Sequence, residues 1–151
     1  MKITIKIDPD DEEEIVIKLK SADERLKRIS DAVSAALSEK REIAVKKGDG
    51  ECYLSFDELL YFEANNKNVF VHTASDCFAC PLHLNELERL LPANFVRSSK
   101  SCIINVLRIR TLDRYPTGIA KATFKSCEKS VYISRMFYKN VRDTIEETRL
   151  M

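Results

Sequence analysis

The sequence predicts a mainly β domain, α+β overall, of packed sheets with short helices, preceded by a small strand–strand–helix extension. Three observations carry this. From residue 42 to residue 133 apolar residues recur in short alternating runs, the period of half-buried strands. Turn-forming residues separate those runs, at Gly48-Asp49-Gly50, Asn65-Asn66, Ser75-Asp76, Pro116-Thr117-Gly118 and Ser126. Helical periodicity is confined to three stretches, too few for a helical architecture.

In order, Ile3, Ile5 and Ile7 alternate with polar residues and predict a first strand. A charged turn holding Pro9 follows, then a second strand through Ile15, Val16, Ile17 and Leu19. Ser21 and Glu24 have capping-box spacing, and Leu26, Ile29, Val33, Ala36 and Leu37 recur at helical spacing, predicting a helix over 22–37. Strands are expected over 42–45, 51–54, 59–64, 68–73, 77–82, 95–97, 101–104, 108–113, 119–124 and 130–133. A short helix is expected over 84–91, where Leu84, Leu87 and Leu91 share a face and Pro92 stops it. A last helix follows Ser134, with Phe137, Val141 and Ile145 at i, i+4 and i+8. The expected division is an extension over 1–40 and a domain over 41–151.

Size and composition narrow the function. At 151 residues the chain is one domain with at most a small extension. A hydrophobic fraction of 44% suffices for a core, and the 32% of charged residues are well mixed, which argues against disorder. No apolar run is long enough to span a bilayer, and the acidic N-terminus is unlike a signal peptide. The expectation is a cytoplasmic protein. Its five cysteines, an odd number, fit reduced thiols better than a disulfide framework.

Charge is unevenly spread. Between Arg97 and Lys139 there are ten Lys or Arg against two acids, Asp113 and Glu128. That stretch is +8 while the whole chain is +1. Such segregation lets one face attract a polyanion, although a merely solubilising face would look the same by charge alone.

Catalytic inventory is thin. The two histidines, His72 and His83, sit in no nucleophile motif, and three glycines cannot make a phosphate loop. No enzymatic role, cofactor or small-molecule substrate is expected. Cys77, Cys80 and His83 form a C-x-x-C-x-x-H run, but it offers only three ligands, and on a strand residues three apart face opposite ways. Core or edge thiols are the simpler reading.

The basic stretch is more informative. Read as strand–turn–strand, it sends Phe95 and Ile104 inward and exposes Ser98-Ser99-Lys100 at the tip, with Arg97 beside it. Small hydroxyls beside Arg and Lys suit phosphate contacts, and a lysine on a rigid turn can reach a guanine edge. Asn105 can satisfy backbone groups where the strand ends. Arg135, just inside the final helix, is a second candidate for phosphate or base contact. The run Asn65-Asn66-Lys67-Asn68 is a third, although an Asn-rich hairpin turn explains that composition equally well.

Three motifs then align with a known family. DELLYFEANNKNVFVHT (57–73), FVRSSKSCIIN (95–105) and VYISRMFYKNV (131–141) stand in the order and spacing of the LytTR DNA-binding domain, which the chain resembles from about Arg41 to Ile145. The resemblance implies an elongated fold of packed β-sheets and loops that enter successive major grooves of duplex DNA, with bending of the duplex. It implies contacts from Asn65, Asn66, Lys67 and Asn68, from Lys100 and from Arg135; on the residues' own chemistry, Arg97 and Ser99 are expected to support phosphate contacts. Some members carry histidine in the first loop and asparagine at position 100, so base preference does not transfer. Many members carry a receiver domain ahead of this one, and about forty residues are too few for that. The resulting expectation is a sequence-specific transcription regulator of the LytTR type that needs no receiver. The extension over 1–40 is the candidate for homodimerisation. Two alternatives are a protein-interaction module whose basic face meets an acidic membrane or signalling partner, and a thiol- or metal-responsive regulator.

Overall fold

The computed structural model describes residues 4–5, 7–12, 14–37 and 42–149. Helix α1 spans Glu24–Leu37, followed by β1 (Glu42–Lys47), β2 (Gly50–Ser55), β3 (Tyr61–Asn65), β4 (Asn68–His72) and β5 (Cys77–Cys80). Then come α2 (Leu84–Leu90), β6 (Phe95–Ser99), β7 (Cys102–Asn105), β8 (Ile109–Arg114), β9 (Ala120–Phe124), β10 (Ser130–Ile133) and α3 (Arg135–Arg149). The strands form a seven-stranded sheet, order β2-β1-β5-β4-β3-β7-β6, and a three-stranded sheet, order β10-β9-β8. Every pairing is antiparallel. All ten strands expected from residue 42 onward form, within a few residues at their ends.

The large sheet is apolar on both faces where β3 and β7 cross it, because neighbouring residues on a strand point opposite ways. Phe62 and Ile103 go to one side, joining Val45, Val71, Phe78 and Leu87 of α2. Tyr61, Cys102 and Ile104 go to the other, joining Ala120, Ala122 and Phe124 of the small sheet and Val141 of α3. Each large side chain fully withdrawn from water stabilises by about 1.5–3 kcal/mol. The two clusters fix both sheets and α3 around the β3–β7 pair. Buried Asn105 ties together the segments flanking β3, β6 and β7: its amide donates to the Leu59 carbonyl (2.8 Å) and its oxygen accepts from Leu107 N–H (3.1 Å) and Asn94 (2.8 Å).

The extension differs from expectation. Helix α1 forms, but among described residues 4–5, 7–12 and 14–19 there is no strand, and Ile3 lies outside the described residues. Ile5 (82% exposed), Ile7 (88%), Ile15 and Val16 meet solvent. Alternation alone does not make a strand: without a hydrogen-bonding neighbour and a covered face, two strands are marginal in water. Asp23, not Ser21, caps α1, accepting the Arg25 N–H at 2.9 Å. The Arg25 guanidinium, and then that backbone bond, hold the Asp23 carboxyl below its ordinary range. The Arg28–Glu147 pair between α1 and α3 is 3.7 Å long and half exposed, so it fixes α1 weakly.

Candidate nucleic-acid interface

Antiparallel pairing decides which turns share an edge. The β3–β4 turn closes between Asn65 and Asn68, with Asn66 at φ 58°, a left-handed conformation that asparagine tolerates. Asn65, Asn66, Lys67 and Asn68 are all exposed there. Strand β7 runs antiparallel to β3, so the β6–β7 turn lies at the same end. The Ala64 N–H donates to the Ser101 carbonyl across that junction at 2.8 Å. Lys100 stands exposed at the tip of this second turn.

The third element joins through a bulge. The β6–β7 register slips between Arg97 and Ser99, leaving Ser98 unpaired in the ladder. Its buried carbonyl accepts the Ser134 N–H at 2.9 Å, the residue just before α3. Arg135 therefore starts its helix beside the Lys100 turn, and its side chain is exposed. The β8–β9 turn, which sequence reasoning left out of the site, reaches the same edge because Ala120 pairs with Ile133. A Cβ on Gly118 of that turn would lie 2.8 Å from Arg135 Cδ, so a bare glycine makes room for the arginine stem.

Arg97 is placed differently from expectation. Its Nε meets Glu88 at 2.6 Å, one terminal nitrogen meets Asn85 Oδ1 at 2.9 Å, and the other donates to the Lys100 carbonyl at 2.5 Å. Only 16% of the side chain is exposed. These contacts tie α2 to the Lys100 turn through one guanidinium. No sequence signal tied Asn85 and Glu88 to this turn, because they lie on a separate helix. Ser99, partly buried, accepts the Ser101 N–H at 3.3 Å and shapes the tip.

The cysteine run separates as strand geometry requires, with Cys77 exposed and Cys80 buried. Among the described residues no group of three His, Cys, Asp or Glu could hold a metal ion. Burial holds the Cys80 thiol above its ordinary pKa, and partial desolvation does the same for exposed Cys77. No helix among the described residues is long and apolar enough to cross a membrane.

Comparison with known proteins agrees with this fold. A solved LytTr DNA-binding domain from Bacillus cereus superimposes with a TM-score of 0.65 at 24% identity, covering 70% of this chain and 97% of that one, a likeness of fold. An uncharacterized HTH-type transcriptional regulator of Staphylococcus aureus (strain MRSA252) is 34% identical over 92 residues, and its counterpart in strain NCTC 8325 / PS 47 is 33% identical over the same length. The match takes in 61% of this chain and spans 62% of each relative's length. The family model of the LytTr DNA-binding domain matches residues 49–146. Strand β1 lies ahead of that match yet pairs with β2 along its whole length, so it completes the same sheet. With most of its length under that model, the chain belongs to the LytTr DNA-binding domain family.

Proposed function

We propose that this chain is a sequence-specific regulator of transcription that binds duplex DNA along one edge. The carrying observation is that the β3–β4 turn, the β6–β7 turn and the start of α3 share an edge, each presenting an exposed cation or amide. Lys100, Arg135 and the Asn65–Asn68 turn enter major grooves. Arg97 acts by holding the Lys100 turn, and Ser99 shapes its tip. Affinity comes from counterion release, and preference comes from the few side chains at base edges. Bending the duplex lets one edge serve neighbouring grooves. The reaction is binding alone, with no cofactor and no substrate turnover, in the cytoplasm where the DNA is.

Residues 1–40 serve homodimerisation in this reading. Its support is the apolar surface left in water there, including Ile5, Ile7, Leu26 and Leu37. Leu26→Glu in the full chain should halve the mass measured by light scattering. An unchanged mass removes α1 from the dimer interface.

The test of DNA binding is affinity across a salt series. Affinity should fall steeply with salt on any duplex, and one site-bearing duplex should keep an advantage over a scrambled duplex of equal length. Equal affinities at every salt concentration would exclude sequence-specific recognition.

A further inference from the structure

Arg114 ends β8 at the edge that carries Arg135. Its partner across the ladder, Ala120, also pairs with Ile133, two residues before Arg135. The intervening turn is closed by Tyr115 N–H to the Ile119 carbonyl (2.8 Å) and Gly118 N–H to the Tyr115 carbonyl (2.9 Å). Gly118 in turn lies against the Arg135 stem. Two arginines are thus delivered to one corner by neighbouring elements.

Arg114 is exposed and yet held. Its guanidinium carbon lies 4.3 Å from the Tyr138 ring centroid. Stacking uses the flat face of the group and leaves the in-plane N–H edge free, the edge that matches two phosphate oxygens. Among the described residues no carboxylate forms a salt bridge with it. Two other cations of the basic stretch are occupied, Arg97 by Glu88 and Lys129 by the Asp76 carbonyl and His72. Asp113 follows the strand alternation to the opposite face.

We infer that Arg114, stacked on Tyr138, is a phosphate-binding site that grips the DNA backbone beside the groove entered by Arg135. This rests on the reading that the edge binds duplex DNA. A backbone contact carries no base information, so it strengthens binding to every sequence alike.

The test uses the full chain and its Arg114→Ala and Arg114→Gln variants, on a site-bearing and a scrambled duplex across a salt series. Each variant should weaken binding to both duplexes by a similar factor and reduce the slope of log affinity against log salt by about 0.9. The advantage of the site-bearing duplex should stay unchanged. Tyr138→Leu keeps the charge and removes the platform, so it should weaken binding to both duplexes with the slope preserved. An unchanged slope in both Arg114 variants overturns the inference, as does a loss confined to the site-bearing duplex. If the unmodified chain shows neither salt dependence nor preference, it is the DNA-binding reading that fails, independently of Arg114.

Discussion

Replacing Asn105 by alanine tests the packing that anchors the end of β7 away from the Lys100 turn. The side chain is 2% exposed and makes three hydrogen bonds, to the Leu59 carbonyl, Leu107 N–H and Asn94. A net hydrogen bond is worth about 0.5–1.5 kcal/mol, and a buried group left without its partner costs about 1–3 kcal/mol. The Leu59 carbonyl, facing a buried amide, loses that partner outright. The expected destabilisation is about 3 kcal/mol, a large share of the roughly 5–15 kcal/mol that holds a domain. Urea unfolding followed by circular dichroism reads it as a lower midpoint with an unchanged slope. Asn105→Asp should be at least as harmful at neutral pH, because it sets a carboxylate against the Leu59 carbonyl. A loss below about 0.5 kcal/mol for Asn105→Ala, the ordinary range of a surface change, would refute this role.

Further outcomes follow from the same contacts. Arg97→Leu should weaken specific binding without changing the salt slope. A slope reduced by about 0.9 would show that Arg97 contacts phosphate after all. Gly118, at φ 91°, strains any side chain, so Gly118→Ala should lower stability in every background, while its relaxation of one base preference, by about 1–3 kcal/mol, should disappear when Arg135 is alanine. An equal further loss in that background would mean the glycine acts on the fold alone. Burial raises the Cys102 thiol from 9.0 to about 11. The raised value stabilises the fold fully below pH 9.0, and this contribution is lost as pH rises toward 11. Alkaline unfolding should therefore be shallower in Cys102→Ala. An identical pH profile for the two proteins would contradict it.

Residues 42–149 were legible because each strand there has a partner and a covered face. Alternation of Ala120 and Ala122 with Lys121 reports directly which side is buried. The alternation at Ile5 and Ile7 and the apolar run Ile15 to Ile17 misled, because nothing in the described chain pairs with those residues or covers them. Loops at Asn65–Asn68, Lys100 and Arg135 could be picked by residue type, and their common edge followed only from the strand register. Arg97 looked like its basic neighbours. Its partners Glu88 and Asn85 lie on α2, nine and twelve residues away, and only the packing of α2 beside β6 revealed them. Gly118 resembled any turn glycine until the Arg135 stem was found against it.

The central claim is that side chains on one edge read DNA sequence. Its most direct test is selection of duplexes from a randomised pool by the unmodified chain, Lys100→Ala and Arg135→Ala in parallel. The unmodified chain should enrich one defined site, and each variant should lose or relax a different position within it. Enrichment of the same site with equal strength by all three would contradict it. So would the absence of any enriched site, which would leave the basic edge to an acidic protein partner.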